Sequence, residues 1–233
     1  MTEDVLAPLA GAPPPEPPPI AAELEAELGK LAPVAPRRPL RQLAVLAGIS
    51  LVYGAGLLAM VHVRDDLHEL PPAWLAAVAA AWLLGFVAPC YLALVPRAGS
   101  MMPRWRWAAA SAVITSVAFV VLGLSIQPSG PSSLYYGWQN LARGQGCLWE
   151  GLATGLVPVV IGAIFLRGAL PVRSRWVAAA LGAGGGCLGG LLLHFHCPIA
   201  DRWHVGLVHG GVVVIAALVT ALIVPRATDR RLR

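Results

Sequence analysis

Six apolar stretches of about 20 residues each occupy most of this chain: 43–63, 74–95, 107–126, 147–166, 176–195 and 205–224. A helix of that length crosses the hydrocarbon core of a bilayer, and it satisfies every backbone N–H and C=O internally, as lipid requires. The fold class that follows is all-α: a polytopic membrane bundle of six transmembrane helices with a short cytoplasmic N-terminal tail. Composition agrees, since 57% of residues are hydrophobic and only 12% charged, against roughly 25% charged in a soluble domain.

Charge placement gives an independent test of the map. Cytoplasmic segments of membrane proteins are enriched in Arg and Lys. With the N-terminus inside, only Arg64, Arg143 and Arg202 fall in outer loops; every other arginine, and Lys30, falls on the inner side. An odd number of spans would spoil this alternation, so both termini are expected in the cytoplasm. The net charge of +5 is thereby assigned to topology rather than to direct nucleic-acid binding. Trp74, Trp105, Trp107, Trp149, Trp176 and Trp203 all lie at predicted span ends, where indole favours the headgroup region. The acidic, proline-rich start predicts no cleavable signal peptide.

Within the bundle, Gly182, Gly186 and Gly190 recur at four-residue spacing, with Gly185 and Gly189 beside them. Such a face predicts close helix–helix approach. Pro89 and Pro158 are expected to kink their spans.

The chain divides into a tail over 1–42, a transmembrane domain over 43–225 and a basic cytoplasmic end over 226–233. Six prolines among residues 12–19 predict an extended spacer. Residues 20–31 then read as a short helix, with Ile20, Leu24, Leu28 and Leu31 in one apolar stripe beside Glu23, Glu25 and Glu27. A helix of about 12 residues is marginal alone in water. It therefore reads either as a partner-binding helix or as an unstructured lead into the first span.

All six histidines, His62, His68, His194, His196, His204 and His209, fall on the predicted outer side together with Cys147 and Cys197. Glu150 follows Cys147 by one helical turn. Three readings compete for this group. The cysteines can pair as a redox-active or structural disulfide. Thiolate and imidazole, with Glu150, His194, His196, His204 and His209 as further donors, can bind a transition metal at the periplasmic face. The third reading has these groups simply satisfying backbone and headgroup partners at helix ends. Cys90 and Cys187 lie within spans and read as small apolar fillers. The sequence has no phosphate-cradling loop, no G-x-S-x-G elbow and no H-E-x-x-H motif. The chain is therefore read as not an enzyme, with no small-molecule substrate and no certain cofactor. A small transporter or a haem- or metal-binding redox protein using the outer histidines is the alternative.

Several short motifs occur in a fixed order: Arg37-Arg38-Pro39-Leu40-Arg41 before the first span, Arg64-Asp65-Asp66-Leu67 after it, and Gly146-Cys147-Leu148. Leu166-Arg167-Gly168-Ala169-Leu170-Pro171, the glycine-rich fifth span and Leu193-His194-Phe195-His196-Cys197-Pro198 follow. In this the chain resembles the NrsF-type family of six-helix bacterial inner-membrane proteins, from about Leu24 onwards. The resemblance implies a membrane-bound anti-sigma factor that sequesters an extracytoplasmic-function (ECF) sigma factor. It also implies that Cys147 and Cys197, which match two family cysteines, sense metal or oxidant stress. The chain departs from the family pattern at Pro96-Arg97-Ala98-Gly99, where an Arg-Pro-Gly turn is usual. It departs again at Trp203-His204, where Trp-Tyr is usual.

Overall fold

The computed structural model of the chain describes residues 22–29, 37–96, 102–125, 139–167 and 174–229. Regular structure among them is helical throughout: α1 (Ala22–Gly29), α2 (Pro39–Val61), a 3-10 turn (Asp65–Glu69), α3 (Pro72–Leu94), α4 (Arg104–Ser125), α5 (Gln139–Leu166) and α6 (Ser174–His196). A π-helical turn (His204–His209) then leads into α7 (Gly210–Asp229). Six segments are long and apolar enough to cross a membrane: α2, α3, α4, Gly144–Leu166 of α5, α6, and His204–Arg226. Each agrees with its sequence-based span to within about one helical turn, and the expected all-α class stands.

Two units are distinguished, 1–37 and 38–233. The first contributes α1, which covers Leu24 and Leu28; Leu24 is 54% exposed. Ile20, Leu31 and the proline spacer at 12–19 lie outside the described residues.

In the second unit α6 occupies the centre. Buried positions make up 89% of its apolar window, against 11% for α2. It packs on α7, α3, α5, α4 and α2, which a helix with bulky side chains on all sides could not do. The glycines make the difference. A Cβ on Gly185 would lie 2.7 Å from the Gly155 carbonyl oxygen of α5, and one on Gly155 would lie 2.8 Å from the Gly185 oxygen. Gly189 meets the Gly151 backbone in the same way, while Gly182 and Gly186 meet Ala216 and Val213 of α7. Gly190 accommodates the Trp82 ring of α3. The predicted glycine face is thus distributed over three neighbours. Cys90 and Cys187 are fully buried fillers at the α3–α6 contact. Trp82 also stacks on Phe119 of α4, at 3.9 Å between ring centroids.

The outward faces are apolar. Val52, Leu84, Ile114 and Leu218 are all more than half exposed, as lipid contact permits. Pro39 and Pro72 sit in the first turns of α2 and α3, where the missing N–H costs nothing. Pro89 and Pro158 lie inside helices that continue through them.

The backbone contacts yield a direct test. Gly189→Ala should destabilise the detergent-solubilised protein by about 1–3 kcal/mol, the usual cost of overpacking, read as a lower thermal midpoint. Gly48→Ala, whose new Cβ meets nothing within 4 Å, should be neutral or slightly stabilising through helix propensity. Equal midpoints for the two variants would contradict the close-packed centre.

Candidate functional site

One end of the bundle gathers the exit of α2, the start of α3, the first turns of α5, the end of α6 and the turn that opens α7. The helix α2 stops at His62, whose backbone sits at φ 71°, a left-handed value that costs a non-glycine residue of order 1–3 kcal/mol. Contacts to the end of α6 hold this turn. The His62 carbonyl accepts from His196 Nδ1 at 2.8 Å, and the Arg64 backbone N–H donates to the Phe195 carbonyl at 2.9 Å. The Arg64 side chain is 3% exposed. Its Nε and Nη2 donate to the two Asp66 carboxylate oxygens at 2.5 and 2.7 Å, and Nη2 also reaches the Pro198 carbonyl at 3.2 Å. A buried arginine paired in this bidentate way leaves no uncompensated charge. The guanidinium holds the Asp66 carboxyl below its ordinary range, through the hydrogen bond first and charge attraction second.

Beneath this clamp lie the two cysteines. Cys147, in the first turns of the α5 span, places its Sγ 3.5 Å from Cys197 Sγ, in the loop after α6. Both are free thiols. Cys197 Sγ also lies 3.3 Å from His204 Nε2, and Cys197 and His204 are fully buried. The contact with Cys147, and then burial, push the Cys197 thiol above its usual range. The rings of His204 and His209 stand edge to face, 5.1 Å apart. One donor atom from each of Cys147, Cys197, His204 and His209 lies within 4.8 Å of the others, so these four side chains could hold a metal ion.

The loop before α7 is shaped by Asp201, a buried carboxylate. Its Oδ2 accepts from the backbone N–H groups of Trp203 and His204 at 3.1 and 3.2 Å, capping the helix start as short acidic side chains do.

The structure brings together four of the sequence-predicted residues and sets three aside. Glu150 Oε2 faces His196 Nε2 at 3.2 Å. His194 donates from Nε2 to the Leu75 carbonyl at 3.2 Å and lies against the Trp74 ring. These three join neighbouring helix ends rather than the cysteine cluster. Arg64 and Asp66, which the sequence offered only within the Arg64-Asp65-Asp66-Leu67 motif, and Asp201, which it did not mark, are supports of the site. Their signal was available: adjacent opposite charges, Arg64-Asp65-Asp66 and Asp201-Arg202, in short loops of a chain with only 12% charged residues.

Compared with known protein families, the chain matches the family described as NrsF, negative regulator of sigma F, over residues 29–229. No curated protein and no solved structure matches it.

The Arg64–Asp66 pair predicts a pH signature. A carboxyl held below its ordinary value adds stability that is complete above the unfolded-state value of about 3.9 and lost as pH falls through the lower folded-state value. The thermal midpoint of the solubilised protein should therefore drop as pH is lowered from about 4, and Asp66→Asn should flatten that part of the profile. An identical acid limb in both proteins would contradict the clamp.

Proposed function

Because this chain belongs to the NrsF family of negative regulators of a sigma factor, we propose that it is a membrane-bound anti-sigma factor of the ECF type. It holds its sigma factor at the bacterial inner membrane and releases it on a periplasmic metal or oxidant signal. The positive-inside distribution supports cytoplasmic termini, which sets the cysteine and histidine end in the periplasm. The tail helix grips the sigma factor through Ile20, Leu24, Leu28 and Leu31, in the helix-in-groove mode. The exposure of Leu24 supports that role.

The observation that carries the sensing half is the 3.5 Å separation of Cys147 and Cys197 sulfurs, one on α5 and one on the loop that leads into α7. A periplasmic two-electron oxidant takes two electrons from the pair, two protons leave, and a sulfur–sulfur bond of about 2.05 Å forms. The start of α5 is drawn toward the α6–α7 loop. At Gly151–Gly189 and Gly155–Gly185 the backbones of α5 and α6 are in direct contact, and through these contacts the movement passes along the bundle as a rigid-body shift. The tail then loses its hold.

Affinity capture from the native host tests the first half. Full-length solubilised protein should retain a sigma factor identifiable by mass spectrometry, and a variant lacking residues 1–36 should lose it. Retention by both proteins, or recovery of no sigma factor by either, would contradict the assigned role of the tail.

A further inference from the structure

We propose that Cys147, Cys197, His204 and His209 form one tetrahedral site for a borderline-soft divalent cation of the zinc type, with the π-helical turn bringing both imidazoles into it. The proposal rests on reading the two cysteines as the sensing pair, and it names the ligand of that pair and two further residues that bind it.

Distances come first. Zinc bonds of about 2.3 Å to sulfur and 2.0–2.1 Å to nitrogen set neighbouring ligand atoms about 3.3–3.8 Å apart in a tetrahedron. The Cys147–Cys197 and Cys197–His204 separations of 3.5 and 3.3 Å fall in that range, and all four donors lie within 4.8 Å of one another. A cysteine pair built only to form a disulfide needs neither imidazole.

The second observation is an orphaned atom. His209 is 4% exposed, and its buried Nε2 makes no hydrogen bond of ordinary geometry, while its side chain interacts with the Cys147 thiol. Buried polar atoms are ordinarily satisfied. Coordination to a cation through that nitrogen would satisfy it.

The third is the backbone. His204 and His209 are five residues apart, so on an ordinary α-helix they would project about 140° apart at 100° per residue. Here the Gly210 N–H bonds to the Val205 carbonyl, the i→i+5 pattern of a π turn, a feature frequent at functional sites. The wider turn brings the two rings to 5.1 Å. Its far side fits against α4 because Gly206 and Gly123 meet without side chains: a Cβ on Gly123 would lie 2.6 Å from Gly206 Cα.

The donor set also selects. Of the nearby carboxylates, Asp201 accepts from backbone N–H groups and Glu150 Oε2 faces His196. Two sulfurs and two nitrogens without oxygen favour zinc over calcium or magnesium. Binding requires both thiols to lose their protons and occupies both sulfurs. Metal and disulfide are therefore mutually exclusive states of this site.

The test uses the reduced, chelator-treated, full-length protein in detergent, titrated with Co²⁺ alone. One Co²⁺ per chain should bind, with the visible absorption of a tetrahedral thiolate–imidazole complex, and Zn²⁺ should displace it. Zn²⁺ should also slow maleimide alkylation of Cys147 and Cys197. His204→Ala and His209→Ala should each weaken cobalt binding at least tenfold, and Cys147→Ser should abolish the sulfur-to-cobalt absorption. Unchanged affinity in both histidine variants would overturn the four-ligand site while leaving the cysteines as a sensing pair. So would failure to bind cobalt in a protein whose cysteines still close to a disulfide. Where the alanine variants do not fold, His204→Cys decides. A stronger sulfur-to-cobalt absorption from a third thiolate supports the site, and an unchanged spectrum overturns it. Sigma release that persists in Cys147→Ser would instead overturn the sensing reading, with the cobalt results standing on their own.

Discussion

In lipid, apolar side chains gain nothing by leaving their surroundings, so helices associate through close van der Waals contact and must bring their backbones near one another to obtain it. Here α6 carries that requirement. Five helices surround it, and its glycines let the carbonyls of α5 and α7 approach to distances that any Cβ would forbid. The other helices can then be less specific. The exterior of α2, α4 and α7 is broadly apolar, since it needs only to match lipid.

The central helix also fixes the site. Where α6 ends, the Phe195 and Pro198 carbonyls receive Arg64, and Cys197 N–H continues the helical hydrogen bonding to the Leu193 carbonyl at 2.8 Å. The Cys197 sulfur is thus positioned at the end of the most deeply buried of the six spans. Its partner Cys147 sits on α5, the neighbour joined to α6 by glycine contacts at Gly151 and Gly155. A chemical change between the two sulfurs is consequently a change between α5 and the residue that directly follows α6.

The spans were legible because helix length and hydropathy are set by the bilayer itself. The packing face was legible because a four-residue glycine repeat has little other physical use in a span. That Cys147 and Cys197 belong together followed from the resemblance, and the geometry brings them within 3.5 Å. What could not be read was the sorting of the other polar groups. Glu150 follows Cys147 by one turn and therefore shared its predicted face, yet it turns to His196. His194 precedes His196 by two residues and points instead to Leu75. His204 and His209 have a spacing that a 3.6-residue period separates, and only the π turn reunites them. Within that turn Gly206 packs on Gly123 of α4, a tertiary contact that no local pattern reports.

The proposed control of sigma binding by the thiol pair is tested most directly by reconstituting the full-length protein in nanodiscs and measuring its affinity for the sigma factor in reduced and oxidised states. Closing the Cys147–Cys197 disulfide should weaken sigma binding at least tenfold, and the Cys147→Ser, Cys197→Ser double variant should show no response to the oxidant. Equal affinity in the reduced and oxidised wild-type protein would contradict the idea that this thiol pair controls the grip of the tail.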